Sequence, residues 1–378
     1  MRLDSVQALR AVAALGVLVF HLYEQQRLVV EASLERVAAQ AEMGLIAGLW
    51  ANGYSGVDLF FVISGFIMIF ITADTPPGRD SVWQFVKSRV RRIYPLWWVF
   101  CLLLMAYYWI QFGSPFDQGQ ILGGADPVAY LVNSFLLIPQ ESFPIYGQGW
   151  TLVHEMYFYF VFAALLFLPR RIRYWGLAGW AVTTAGFVMA GFAAPRAQNY
   201  LGLIGSMHTF QFLAGAVVGM LLVHRRIVMP RTMLAIGVGL TLLALSFYSD
   251  GHAHLMTYGR IFVYTLPFAL VIYGLVGLEM QNGLRVPAWI VRVGDWSYSL
   301  YLCHSLVLTV IVRALPTIRS WMPEPVAALL EIGTPGPWDN LTFALIGTVA
   351  SLACAAIFYV LVERPFSKLL RRTRQISP

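Results

Sequence analysis

YSGVDLFFVISGFIMIFITA, Tyr54 to Ala73, has twenty residues and one formal charge, that of Asp58. About 20 apolar residues wound into a helix match the hydrocarbon thickness of a bilayer. The run is too long for a membrane-barrel strand and lacks its polar/apolar alternation. It therefore reads as a spanning helix, and the same pattern recurs along the chain. Expected spans cover residues 6–28, 54–73, 93–112, 147–168, 173–193, 203–223, 232–249, 260–279, 296–314 and 341–362. A further apolar stretch, Val128 to Ile138, is too brief to cross and is expected to lie re-entrant or at the interface.

Composition leads the same way. Of 378 residues, 58% are hydrophobic and only 12% charged, where soluble domains carry about a quarter. Mean hydropathy is +0.67, which leaves too few polar side chains to cover one soluble core. The expected fold class is an all-α integral membrane protein of about ten transmembrane helices. It is read as one transmembrane domain over residues 1–378, with no separate soluble domain and no internal repeat. The first apolar run carries Arg10 and no small-residue cleavage site follows, so it reads as an uncleaved helix. Cys101, Cys303 and Cys354 lie inside apolar runs, as small core hydrophobes do, and no Cys/His spacing suggests a metal.

The net charge of +7 suggests nucleic acid until its distribution is considered. Arg79, Lys87, Arg89, Arg91 and Arg92 follow the second span. Arg170, Arg171 and Arg173 follow the fourth, and Arg225, Arg226 and Arg231 the sixth. Lys368, Arg371, Arg372 and Arg374 lie in the tail. The loop between spans three and four has no Lys or Arg but holds Asp117, Asp126 and Glu141. Basic loops stay cytoplasmic, so both termini are expected in the cytoplasm, as an even helix count requires. The segment Glu24 to Met43 mixes charges with Leu28, Leu34, Val37 and Ala41 at helical spacing, and reads as a solvated amphipathic extension.

Charged residues inside spans are costly and mark function by default. Arg10 and His21 are eleven residues apart on the first span. At 100° per residue they share one face, about 16 Å apart along the axis. Each has a plain alternative: Arg10 can snorkel to headgroups, and His21 can sit hydrogen-bonded near the outer interface. Together they match the reach of a pantetheine arm, with arginine for phosphate and histidine for proton transfer. In GWTLVHEMYFYF, Gly149 to Phe160, Glu155 lies at a depth like that of His21 and can accept an imidazole N–H. Asp58 lies one turn into the second span from the same side. His154 faces away from Glu155 and receives no role.

The run KSRVRRIYPLWW, Lys87 to Trp98, offers forked guanidinium donors at the mouth of the third span, or simply topological charge. Pro95 there is read in a first helical turn. Tyr298, Tyr301 and His304 fall at offsets of three, forming a polar cavity wall or an interhelical seam. Glu363 and Arg364 close the last span, where an ion pair suffices to explain them.

These blocks, in this order, resemble the acyltransferase-3 family of membrane acyltransferases, and its exopolysaccharide acetyltransferase branch in particular. They are LDSVQALRAVAALGVLVFH, GVDLFFVISGFIM, RRIYPLWW, WTLVHEMYFYF, SYSLYLCHSLVL and VERPF. The resemblance implies acetyl-CoA or another acyl-CoA as donor, with no metal. It implies a saccharide or lipid-linked saccharide acceptor, and a multi-pass protein of the cell (inner) membrane. The lipid bilayer and polysaccharide-biosynthesis proteins are the expected partners, not nucleic acid. By motif, His21 is the catalytic histidine with Arg10 its essential partner, Glu155 matches an acidic position of the family, and Arg91, Arg92 and Tyr94 belong to the block that serves the donor. From the residues alone, Asp58 joins His21 and Glu155 as a catalytic candidate, and Arg10 and Arg89 join the donor-binding candidates. Trp150, Ser64, Tyr298, Tyr301, His304, Glu363 and Arg364 are substrate-binding or structural positions. Many relatives have two consecutive glutamates where this chain has His154–Glu155. From the residues alone, a proton-coupled transporter or flippase of a polysaccharide precursor and a non-catalytic export partner stay open.

The orientation is directly testable. A reporter that works only in the cytoplasm should be active when fused after Pro378 and silent when inserted between Asp117 and Glu141.

Overall fold

No water reaches a backbone N–H or C=O in the hydrocarbon layer, so each span must satisfy those groups itself. The computed structural model describes residues 3–31, 51–193, 196, 198–248, 258–281, 283–330 and 337–366, and every regular element among them is helical. The charged tail from Lys368 onward and most of the expected amphipathic segment lie outside the described residues.

In chain order the helices are α1 (Asp4–Glu31), α2 (Gly56–Ile71), α3 (Arg79–Phe112), α4 (Pro127–Leu136), α5 (Gly149–Leu165), α6 (Arg170–Met189) and α7 (Tyr200–Ile204). They continue as α8 (His208–Val223), α9 (Pro230–Phe247), α10 (Gly259–Met280), α11 (Ala288–Asp295), α12 (Ser297–Arg319), α13 (Glu324–Leu329) and α14 (Pro337–Phe358). A 3₁₀ turn at Asn52–Ser55 leads into α2, and a π-turn at Tyr359–Glu363 follows α14. Among the described residues, eight helical stretches are long and apolar enough to cross a membrane, with α7 and α8 together counting as one of them, so the protein is a multi-pass membrane protein. The helices α5 and α6, which occupy two further expected spans, are not among the eight. The 17 residues of α5 reach only about 25 Å, and α6 opens on Arg170, Arg171 and Arg173.

Three boundaries depart from expectation. Helix α3 begins at Arg79, not near residue 93, so Pro95 is interior rather than in a first turn. The preceding polar stretch, free of Gly and Pro, continues the helix outward with Phe85 on its buried face. Residues 203–223 do not form one helix: α7 stops at Gly205 and α8 restarts at His208. The third departure is Arg173, read as a loop charge but buried. Its guanidinium donates to the carbonyls of Thr72 (3.2 Å), Thr75 and Leu168 (both 3.4 Å).

The short helix α4 packs against α3. Its C-terminal carbonyls have no helical partners of their own. Tyr94 Oη donates to Leu136 O at 2.8 Å, Trp97 Nε1 to Ser134 O at 3.1 Å, and Trp98 Nε1 to Phe135 O at 3.0 Å. The YPLWW motif thus caps α4 from the middle of α3.

The chain gathers into two compact units. The first holds the described residues of Met1–Val57, Gly239–Gly251 and Arg285–Tyr359, and the second those of Asp58–Val238, His252–Leu284 and Val360–Pro378. In the first, α1 packs against α11, α12 and α14. A Cβ on Gly294 would collide with the Gln7 carbonyl, so α11 meets α1 backbone to backbone. In the second, α2 and α8 cross just as closely: Gly65 abuts the Phe212 carbonyl and Gly215 the Val62 carbonyl. Small residues that let backbones touch are a standard way to hold helices together in lipid.

Gly65→Val and Gly215→Val should each prevent that crossing, since overpacking a tight contact costs about 1–3 kcal/mol or more. The expected result is a lower melting temperature in detergent and poor recovery of monodisperse protein, with Gly179→Val, which meets open space, as the neutral control.

Candidate active site

In the first unit the site is built on one stripe of α1. Between Arg10 and His21 the same face carries Ala14 (2% exposed) and Val17 (3%), while Val12 on the other side is 52% exposed. The stripe therefore faces protein and not lipid. Arg10 Nη1 donates to Gln7 Oε1 at 3.2 Å, one turn back. The half-buried His21 ring lies 4.9 Å, centroid to centroid, from that of His304 on α12. Tyr298 and Tyr301 are buried on α12, and the Tyr301 ring lies 6.1 Å from that of His304. His304 Nδ1 lies 3.0 Å from Leu300 O. A carbonyl only accepts, so Nδ1 carries the proton, and the neutral ring keeps its lone pair on Nε2. That buried Nε2 has no hydrogen-bond partner among the described residues.

The second unit holds a different polar centre, around a fully buried Asp58. Arg260 Nε donates to Asp58 Oδ1 at 3.1 Å, and Gln211 Nε2 donates to the same oxygen at 2.7 Å. That orients the Gln211 amide so that its Oε1 accepts from His208 Nδ1 at 2.9 Å. Behind this chain stand His154, whose ring is 5.2 Å from that of His208, and Trp150, 5.7 Å from both imidazoles. The Arg260 guanidinium lies 6.0 Å from the Trp150 ring centroid. Asp58, Trp150, His154, His208 and Arg260 all lie in the first two turns of α2, α5, α8 or α10, so the positive ends of four helix dipoles face one carboxylate. Asp58 Oδ2 and His154 Nε2 are buried without partners among the described residues.

A third group, also in the second unit, joins α3 to α5. The Tyr159 hydroxyl donates to Glu155 Oε1. The Arg89 guanidinium lies 5.6 Å and 5.7 Å from the Phe85 and Tyr159 ring centroids, within electrostatic reach of Glu155 and Arg92. Arg89 and Glu155, placed apart by sequence as donor ligand and histidine partner, thus belong to one cluster. In that cluster Glu155 accepts from Tyr159 with Arg89 within electrostatic reach. Arg91 and Arg92 are half-buried one turn further along α3. Ser64 is buried with its hydroxyl unpartnered among the described residues. Glu363 ends the π-turn, and Arg364 is exposed.

Sequence reading missed Arg260, Gln211 and His208, and gave His154 no place. The signal for Arg260 was present. It is the one charge from Gly259 to Leu278, and an intramembrane acid such as Asp58 demands a cation.

Comparison with known proteins adds to this geometry. The family described as "Acyltransferase domain" (Acyl_transf_3) matches residues 3–360. The Exopolysaccharide production protein ExoZ of Rhizobium meliloti (strain 1021) is 32% identical over 340 residues, covering 85% of this chain and 91% of that protein. Acyltransferase MdmB of Streptomyces mycarofaciens is 26% identical over 406 residues, covering 100% of this chain and 95% of that protein. No solved structure matches the chain.

Removing one member of a buried ion pair strands the other, at about 3–5 kcal/mol, whereas an apolar replacement of both is often tolerated. Asp58→Ala and Arg260→Ala should each lower the melting temperature in detergent steeply. The double variant Asp58→Leu/Arg260→Met should recover most of that loss.

Proposed function

The chain belongs to the acyltransferase-3 family, and on that footing we propose that it moves an acyl group, acetyl in the first instance, from cytoplasmic acyl-CoA to a hydroxyl of a cell-surface or exported saccharide. The cell (inner) membrane is its place in this reading. The observation that carries the proposal is the inward stripe of α1, with Arg10 at one end and His21 against a second imidazole at the other. The name of the exopolysaccharide relative favours a saccharide acceptor, and that of the second relative favours acyl transfer.

In this mechanism Arg91, Arg92 and Arg10 supply cation partners for the phosphates of the donor. The half-buried position of Arg91 and Arg92 suits them to that contact. The acceptor oxygen attacks the thioester carbon as His21 takes its proton, so a C–O bond forms and the C–S bond breaks. The departing thiolate takes that proton back from the imidazolium, and free coenzyme A leaves. The His304 ring lies against that of His21 at a tilt of 43°. Its own Nδ1 is committed to Leu300 O, so it presents a fixed Nε2 lone pair toward the interior. A variant path passes the acyl group through His21 as an acyl-imidazole before it reaches the sugar. The Arg89–Tyr159–Glu155 group ties the basic start of α3 to α5.

His21→Ala should lower acyl transfer to saccharide by about 10²-fold or more, the usual worth of a general base. His304→Ala should lower it less. Purified protein with radiolabelled acetyl-CoA, assayed with and without acceptor, measures both. Label held by the protein in the absence of acceptor, and lost in His21→Ala, marks the two-step path. Wild-type transfer by His21→Ala rules out both paths.

A further inference from the structure

A shallow, open pocket in the second unit lies beside the N-terminus of α5. Its walls come from the loop after α4 and the loop before α7, with Trp150 and Val153 of α5 between them. The side chains there form a mixed set. Trp150 gives flat aromatic surface and Phe143 a ring that backs the Arg196 guanidinium, while Gln140, Gln198, Glu141 and Arg196 give planar polar groups of both hydrogen-bonding senses. The Arg196 guanidinium stands 4.3 Å from the Phe143 ring centroid, and among the described residues it hydrogen-bonds to nothing. Gln140 is fixed by its own amide, which donates to Ser134 Oγ at 3.1 Å.

A sugar ring has two kinds of surface, a face of C–H bonds and an edge of hydroxyls that each donate and accept. Aromatic faces suit the first. Amides, carboxylate and guanidinium suit the second, because each can bind two neighbouring hydroxyls at once. A phosphate ligand would not gain from Glu141, and an acyl chain would leave the amides unsatisfied. The geometry points to this pocket as the saccharide subsite, with Arg196, Gln198, Gln140 and Glu141 reading hydroxyls over the Trp150 ring. The assignment rests on the chain being a saccharide acyltransferase, and it names where the acceptor is held.

Its position fits that role. The loops that line it belong to the side from which the acceptor arrives under the orientation set by the basic residues. Its inner wall, Trp150, is the same indole that touches His154, His208 and Arg260. One ring therefore joins the open pocket to the buried polar centre. Trp150 acts here as a positioning residue: its place is set from behind by that centre, and it offers the pocket its remaining surface.

The test uses full-length protein in detergent, acetyl-CoA, and an oligosaccharide of the producing cell's own exopolysaccharide stripped of acyl groups by mild base. Arg196→Ala and Gln198→Ala lie on a half-exposed loop, so they leave the helical core in place. Each should raise the saccharide KM about tenfold or more, the usual effect of losing a charged or bidentate hydrogen bond, with the acetyl-CoA KM unchanged. Arg196→Lys should recover only part of the loss, since a point charge replaces a fork. Trp150→Phe should raise the same KM less than Trp150→Ala. If the saccharide KM stays at the wild-type value in both Arg196→Ala and Gln198→Ala while transfer continues, the pocket assignment is overturned and the proposed function stands. If the wild-type protein consumes acetyl-CoA with a non-saccharide acceptor and never acylates the oligosaccharide, the proposed function and the pocket assignment fall together.

Discussion

A carboxylate sealed from water must find compensation, and Asp58 finds it from three directions. The Arg260 guanidinium supplies charge, the Gln211 amide supplies a second donor, and the N-termini of α2, α5, α8 and α10 supply their dipoles. Much of the second unit is arranged to make this possible. Gln211 reaches Asp58 because α2 and α8 cross with their backbones in contact, which Gly65 and Gly215 permit. His208 reaches Gln211 because the chain breaks between α7 and α8, which puts its imidazole in a first turn. A continuous helix over residues 203–223 would have buried that turn's N–H groups in intrahelical bonds and left no dipole end near Asp58.

The first unit solves a different problem with different means. Its polar groups are imidazoles and phenols, which can be buried neutral at modest cost. His304 spends one nitrogen on Leu300 and keeps the other for a partner, while His21 lies half-buried against it. The contrast between the centres is chemical. One is a buried ion pair held through a single carboxylate oxygen, Asp58 Oδ1, which ties α2 to α8 and α10. The other has a half-buried imidazole, a group that can both take and give a proton. That difference is why the catalytic proposal rests on α1 while Asp58, grouped with His21 by sequence, is better explained as the organiser of its own unit.

How much of this could be read from the chain follows from the range of each interaction. Eight of the expected spans were legible because bilayer thickness sets their length locally, and α4 was legible as a helix too brief to cross for the same reason. The inward stripe from Arg10 to His21 followed from helical periodicity, with no knowledge of partners. Long-range pairings were not legible. Arg260 lies 202 residues from Asp58, and nothing local to either names the other. The α7–α8 break escaped because Gly205–Ser206–Met207 is apolar enough to pass as helix interior. The early start of α3 escaped because its polar first turns lie outside any hydropathy window. The YPLWW block was read as a ligand mouth, since its three hydrogen bonds go to carbonyls of a helix some forty residues on.

Trp150 shows why such motifs resist reading in isolation. Within its first two turns, α5 must place a small residue, a large aromatic and an imidazole in that order. A Cβ on Gly149 would strike Trp97 and Pro144, so only glycine lets α5 start against α3. That start fixes the next side chain, Trp150, between the open pocket and the His154–His208–Arg260 face. One turn on, His154 donates to the Trp150 carbonyl, which is part of the same helix end. Steric fit, position and hydrogen bonding here act through four adjacent turns of chain but are determined by α3, α8 and α10. A residue string that looks like a catalytic signature is, at this point of the fold, first a record of which neighbours the helix must avoid and which it must touch.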